Sequence, residues 1–220
     1  MKWPYLFFIL IILESFVSEG LTDSKEMKLP LPKKKGNISL EEALNNRQSV
    51  RDYTNEALTP EEISQILWAA NGKNKWGKLT SPSAGATYPL VIYLAAGNIK
   101  SLSPGLYKYN NQEHSLILIS PVDLRASLSA AALNQSSVKE AAALIIICAD
   151  YNRTTSRYGS RGRRYVEIEV GHVGQNIYLK AVSLDLGTVA VGAFDDGAVK
   201  KVLGIEEEPL YIMPLGKTKN

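Results

Sequence analysis

Arg47-Gln48-Ser49-Val50-Arg51-Asp52-Tyr53 carries two arginines four residues apart with a hydroxyl between them. That arrangement suits a phosphate monoester, because each guanidinium offers a planar fork of donors and the serine a single directed one. Taken alone, it also suits a solvated helix end whose arginines meet backbone carbonyls. Just upstream, Ser39 with Glu42 three residues on has the form of a capping box, so the stretch leaves the end of a short helix.

Working outward, Thr59-Pro60-Glu61-Glu62 combines a cap, a proline at the first helical position and a capping-box glutamate. Ile63, Ile66, Leu67 and Ala70 give that helix one apolar face, and Gly72 stops it. Small residues and prolines then dominate Ser81-Pro82-Ser83-Ala84-Gly85-Ala86-Thr87-Tyr88-Pro89, so its backbone can approach a ligand closely. A tight crossover between helix and strand would need the same residues. Leu90 to Ala96 reads as an apolar strand. Gly105–Tyr109 and His114–Ile119, with Asn110-Asn111 between them, read as a hairpin with His114 at the surface. Asp123 to Leu133 is an alanine-rich helix. Ala142 to Ala149 is a continuous apolar run expected at the centre of a sheet covered on both faces, with Cys148 a small buried residue in it.

Five arginines stand between Arg153 and Arg164. They read as a loop gathering positive charge around an anionic ligand or an acidic partner surface. Nucleic acid is disfavoured, since no interleaved aromatic platform or extended basic stripe accompanies them. The longest helix follows, from about Tyr165 to Leu186, with Val166, Val170, Val173, Ile177, Ala181 and Leu184 as its stripe. Gly171 and Gly174 would let a second backbone come close, His172 reads as an interface residue, and Gln175 and Asn176 are expected to be buried and in need of partners. Thr188–Ala193 is a strand, Asp195 opens a short helix that Gly204 ends, and Pro209–Leu215 is the last strand. Alternating strands and helices imply a mixed sheet with helices on both faces.

A chain of 220 residues with 45% hydrophobic residues accommodates one ordinary globular domain, and a net charge of +3 is too mild to argue for nucleic acid. One cysteine and two histidines leave no intrachain disulfide and no expected metal site. Residues 1–20 read as a signal peptide or N-terminal anchor: Lys2 precedes an apolar run from Trp3 to Leu13, shorter than the roughly 20 residues of a membrane span. The protein is therefore expected to be exported or membrane-anchored. Residues 21–36 read as a linker whose Lys33-Lys34-Lys35 is a solvated tether or a lipid-binding patch, and 37–220 as the domain.

Three blocks together resemble the nitroreductase-fold flavoproteins. Arg47 to Tyr53 resembles their RRSVRxY entry motif, and Ser81 to Pro89 their PSAGATYP loop. Gly171-His-Val-Gly-Gln-Asn-Ile-Tyr-Leu, followed by Gly192-Ala-Phe-Asp, resembles GHxxQNxYLxAxxLGLG…GxFD. The resemblance runs from about Ser39 to Gly216 and is nearest to the SagB/ThcOx-type dehydrogenase branch. It implies an α+β fold, a mixed sheet flanked by helices, and FMN bound at the interface of a homodimer. It also implies small-molecule substrates, with NAD(P)H as a candidate co-substrate. Carried over onto this chain, Arg47, Gln48, Ser49 and Arg51 would hold the phosphate and ribityl chain, with Gln135 and Lys217 as further contacts. Ser83, Ala84 and Gly85 would reach the flavin from the partner subunit, and Val191, Gly192 and Ala193 would lie against the ring. Tyr158 is the candidate proton donor. Two departures stand out. Gln48 replaces a basic residue of the entry motif, and Arg157-Tyr158 stands where azoline-oxidising members carry Lys-Tyr. Arginine stays protonated and is a poor general base. Flavin-dependent reduction of a nitro or quinone acceptor is the leading expectation. Dehydrogenation of a peptide-derived or other small substrate, and a non-catalytic flavin-fold binding module, are the alternatives.

Overall fold

Residues 26–219 are described by the computed structural model of the protein; the expected signal or anchor, 1–20, lies outside them. The centre is β5 (Ala143–Ala149), every residue of which is buried. Neighbouring side chains of a strand point to opposite faces. Ala143, Ile145 and Ile147 accordingly enter one core, while Leu144, Ile146 and Cys148 enter the other. Each fully buried isoleucine contributes about 1.5–3 kcal/mol relative to exposure. Beside β5 lie β2 (Leu90–Ala96) and β7 (Glu208–Lys217). With β3 (Gly105–Asn110), β4 (Ser115–Ser120), β6 (Leu186–Thr188) and β1 (Glu26–Lys28) they form a seven-stranded sheet of order β1-β4-β3-β2-β5-β7-β6.

The α+β class holds, with helices on both faces. On the first face α2 (Pro60–Asn71) and α6 (Arg161–Val182) pack together through Ile63, Ile66, Leu67, Val166, Val173 and Ile177. On the second face α3 (Arg125–Ala131), α4 (Ser136–Glu140) and α7 (Asp196–Leu203) bury Leu128, Val138, Val199 and Leu203. The remaining helices are α1 (Leu40–Asn46) and α5 (Asn152–Tyr158). One expectation needs correction: all the pairings between the seven strands are antiparallel, so the sheet is not mixed. Alternating strand and helix signals do not fix direction.

Further corrections come from tertiary contacts. The expected linker is docked from Glu26 onward, where β1 pairs with β4 and Leu29 donates its N–H to His114 O at 3.0 Å. His114 is not a free surface residue. Tyr109 Oη lies 2.8 Å from its Nδ1, while its Nε2 meets Ser64 Oγ at 2.8 Å and Pro30 O at 3.1 Å, pinning the N-terminal segment to hairpin and helix. The arginine-rich stretch is helical, forming α5 and the first turn of α6, not a loop. Gln175 is exposed, whereas Asn176 donates to Ala69 O and Ser81 Oγ at 3.1 and 3.0 Å. Gly174 borders the Tyr211 ring of its own chain, while Gly171 faces open space.

Candidate functional site

Ser39 caps α1 by accepting the Glu42 N–H at 3.0 Å, and the helix ends at Arg47. From there the chain is strapped across the end of β6 and β7. Val50 donates its N–H to Thr188 O at 2.9 Å, and Tyr53 Oη donates to Val50 O at 2.8 Å. Gly187 is required beneath the strap, because a Cβ there would stand 2.6 Å from Val50 Cγ1. The Arg47 guanidinium lies over the Tyr178 ring at 5.2 Å. Tyr178 Oη accepts the Ala190 N–H at 2.8 Å and sits 3.0 Å from Ser49 Oγ. Gln48, Ser49, Arg51, Asp52, Thr218 and Lys219 line a cleft of about 540 Å³, two cations against one carboxylate. Arg47, Arg51 and Lys219 make no ion pair among the described residues, so this cleft keeps a positive surplus. Lys217, expected as a further phosphate contact, is instead paired with Glu62 of α2. The strand has ended by Lys219, whose side chain turns to the cleft in its place.

The Tyr178–Ala190 bond ties this cationic end to the segment 188–193. Val191 and Ile212 exchange backbone hydrogen bonds at 2.9 and 3.0 Å, and Gly192 borders the Tyr211 ring. Gln135 donates Nε2 to Ala193 O at 3.1 Å, so Gln135, Val191, Gly192 and Ala193 form one wall. Gly192 and Ala193 are exposed, and neither backbone N–H has a partner among the described residues. Free cations at one end and free N–H donors at the other fit a long ligand with a phosphate tail and a hydrogen-bonding ring edge.

Ser83, Ala84 and Gly85 stand elsewhere. They begin a strained turn in which Gly85, Ala86 and Tyr88 have φ of 59°, 54° and 48°. Ser83 Oγ accepts the Tyr88 N–H at 3.0 Å, and Arg157 donates Nη1 to Gly85 O at 3.0 Å. Only glycine fits at 85: a Cβ would lie 2.4 Å from Tyr158 Oη. Tyr158, packed edge-on against Tyr165, therefore belongs with this turn and not with Gly192. Behind the turn lies Glu169 of α6, only 4% exposed. Burial pushes its carboxyl up to about 7, opposed by the polar Ser83 hydroxyl nearby. Tyr178 stands nine positions beyond Glu169 on α6, about 13 Å along the axis at 1.5 Å per residue. Within one chain the expected residues thus form two groups, not one.

Three residues escaped sequence reasoning. Tyr178 passes for part of the apolar stripe, although its hydroxyl needed a partner. Lys219 is indistinguishable in sequence from Lys217. Glu169 does leave a signal, as the acid inside the stripe of Val166, Val170 and Val173.

A model of the nitroreductase family matches residues 44–217. A protein of Methanocaldococcus jannaschii described as a nitroreductase is 46% identical over 196 residues, which is 89% of this chain and 98% of that one. The FMN reductase [NAD(P)H] of Bacillus subtilis is 25% identical over 185 residues, covering 79% of this chain and 61% of that protein. Among solved structures, a protein of Ralstonia eutropha described as a nitroreductase superposes with a TM-score of 0.78 at 25% identity, covering 90% of this chain and 92% of that one.

Proposed function

The chain belongs to the nitroreductase family, and on that premise we propose an FMN-dependent oxidoreductase. Its electron donor is a reduced nicotinamide dinucleotide, and its acceptor a nitro compound, a quinone or a similar small molecule. The observation that carries this reading is the bonded path from Ser49 through Tyr178 to Ala190. It joins the un-neutralised Arg47, Arg51 and Lys219 to the open N–H groups of Gly192 and Ala193. Bound there, the flavin supplies hydride acceptance and donation at its N5. The chain's own residues bind and orient. Arg47, Arg51 and Lys219 hold the phosphate through charge-assisted hydrogen bonds. Gly192 and Ala193 offer their N–H groups to the ring edge, and Gln135 keeps that wall in place through Ala193.

A homodimer completes the site in this reading, with Ser83, Ala84 and Gly85 of the partner subunit brought to the same cleft. Support comes from the two separated groups on α6 and from the exposed Ile168 beside Gly171 on that helix. Tyr158 then stands where it can give a proton to the acceptor. We assign the SagB/ThcOx branch on the motifs at Ser81–Pro89 and Gly171–Leu179. The reverse reaction, oxidation of a peptide-derived substrate, finds no base in Arg157, whose guanidinium stays protonated and is engaged by Gly85 O. The test is a visible absorption spectrum of the purified protein with FMN, followed by anaerobic titration with NADPH and NADH. The expected result is a flavin spectrum that bleaches with the donor and recovers with a nitroaromatic or quinone. Protein that stays colourless after incubation with FMN would overturn the proposal.

A further inference from the structure

Of the five arginines of the α5–α6 corner, only Arg157, through Gly85 O, touches a residue assigned to the cleft just described. Arg153 reaches Asp150 at 3.3 Å. Arg157, Arg161, Arg163 and Arg164, all exposed, have no carboxylate within 4.0 Å among the described residues, although Glu167 lies on the next turn. Contrary to the sequence expectation, tyrosines are interleaved with them. The rings of Tyr158 and Tyr165 meet edge-to-face at 5.2 Å. Arg157 lies over Tyr158 at 5.4 Å, Arg161 over Tyr165 at 5.8 Å, and Arg163 over Tyr151 at 4.3 Å. Stacking on a ring orders a guanidinium without occupying its in-plane N–H donors. Arg157 and Arg161 thus present ordered, un-neutralised forks beside the Tyr158 and Tyr165 rings, while Arg163 on Tyr151 borders a pocket shared with Asp150 and Glu206 to Glu208. Arg157 fixes it against the strained turn through Gly85 O at 3.0 Å.

We propose that this corner binds the adenosine 2′-phosphate of NADPH, so that the phosphorylated dinucleotide, and not NADH, is the electron donor. The inference rests on the oxidoreductase reading above and names the donor for that same site. Two chemical features must coincide in the ligand. A phosphate monoester carries nearly two negative charges and matches the arginine fork. A planar heterocycle stacks on a tyrosine face or a guanidinium plane. The adenosine 2′-phosphate of the dinucleotide has both, and NADH lacks the first. The corner spans one helix junction, the footprint of one nucleotide and not of a polymer.

The experiment has two arms. In the first, adenosine 2′,5′-bisphosphate and adenosine 5′-monophosphate are titrated calorimetrically into flavin-free protein, wild type and Arg161→Ala/Arg164→Ala. The expected result is tighter binding of the bisphosphate by at least tenfold, lost in the double variant, because each charge-assisted contact removed weakens binding about tenfold or more. Arg161→Lys, which keeps the charge but not the fork, is expected to fall between. In the second arm, the FMN-loaded protein is assayed for kcat/KM with each dinucleotide. Wild type should prefer NADPH and the double variant should lose that preference while its NADH value holds. Equal binding of the two nucleotides, an unchanged double variant, or a preference for NADH would each overturn the assignment. A failure to bind FMN would instead strike the oxidoreductase reading, and the calorimetric arm would still report on the arginines.

Discussion

Replacing Glu169 by Gln removes a buried ionisable group while keeping nearly the same size and shape. The carboxyl is 4% exposed and burial pushes it up to about 7 from an ordinary 4.5, with the Ser83 hydroxyl as the opposing influence. The sign follows from proton counting. Below pH 4.5 the folded and unfolded chains both carry the proton, and the group contributes nothing. Between 4.5 and 7 the unfolded chain loses its proton while the folded chain keeps it, so stability falls as pH rises. Above 7 both forms are ionised and the loss is complete. Integrated over that window, the loss is at most about 3 kcal/mol, taking 1.36 kcal/mol per pH unit.

Glu169→Gln should therefore match wild type near pH 4.5 and exceed it at pH 8. For a domain of this size 1 kcal/mol moves the Tm by about 2–4 °C, so a gap approaching 6–12 °C is the upper bound. Thermal melts of both proteins across pH 4.5–8.5, followed by circular dichroism, measure it. Two parallel Tm profiles would refute the reasoning, since they would mean that Glu169 titrates alike in the folded and unfolded chains.

Arg47→Ala/Arg51→Ala should weaken FMN binding by about 3 kcal/mol, roughly 100-fold, since charge-assisted hydrogen bonds contribute about 1.5–3 kcal/mol each and Arg47 is half-buried and Arg51 exposed; a fluorescence titration that shows unchanged affinity would mean that the clamp is misassigned. Gly85→Ala should cost about 1–2 kcal/mol from the left-handed backbone and the clash with Tyr158 Oη, and Tyr158→Phe in the same chain should recover part of that loss in a double-mutant cycle. Burial lowers the pKa of His114, so the folded chain resists its protonation and stability drops as pH falls below about 6.5. Proteolysis near Lys28 should accelerate in that range, and His114→Ala should remove the acceleration by cutting equally fast at every pH.

Local signals were legible where neighbours in sequence decide the outcome. The Ser39 and Thr59 caps and the Gly204 stop each depend on groups within a few residues, and all three formed. The apolar run of β5 was legible because burial on both faces leaves no polar alternation. Strand direction was not, because it depends on whether a connection can return across the sheet. The Arg153–Arg164 segment looked like a loop for its charge, yet arginine is among the better helix formers and the guanidiniums project beyond the backbone. The residues that the motifs gather into one expected site fall, within one chain, into two groups, a separation that no local signal carries. Whether Lys217 or Lys219 faces the cleft turns on Glu62, 155 residues away in sequence.

The two groups of site residues share one helix, and that places a constraint on any dimer that unites them. Glu169 and Tyr178 mark the two ends, and the midpoint between them falls between Val173 and Gly174. A two-fold axis crossing α6 near that midpoint maps each end of the helix onto the other, as a closed isologous contact requires. Glu169 and the Ser83 turn of one subunit would then stand beside Tyr178 and Arg47 of its mate. Gly171, His172 and Gln175 are exposed along this middle stretch, and a Cβ on Gly171 would meet nothing within 4 Å in its own chain. Gly171→Arg is therefore a clean probe: it leaves the protomer fold undisturbed and adds bulk and charge only where a second helix would pack. Light scattering should report a monomer, circular dichroism an unchanged fold, and flavin titration a loss of affinity, because each cleft would keep only the Arg47 half of its contacts. A Gly171→Arg protein that stays dimeric, or that turns monomeric and binds FMN as tightly as before, would show that the two groups do not share a cleft.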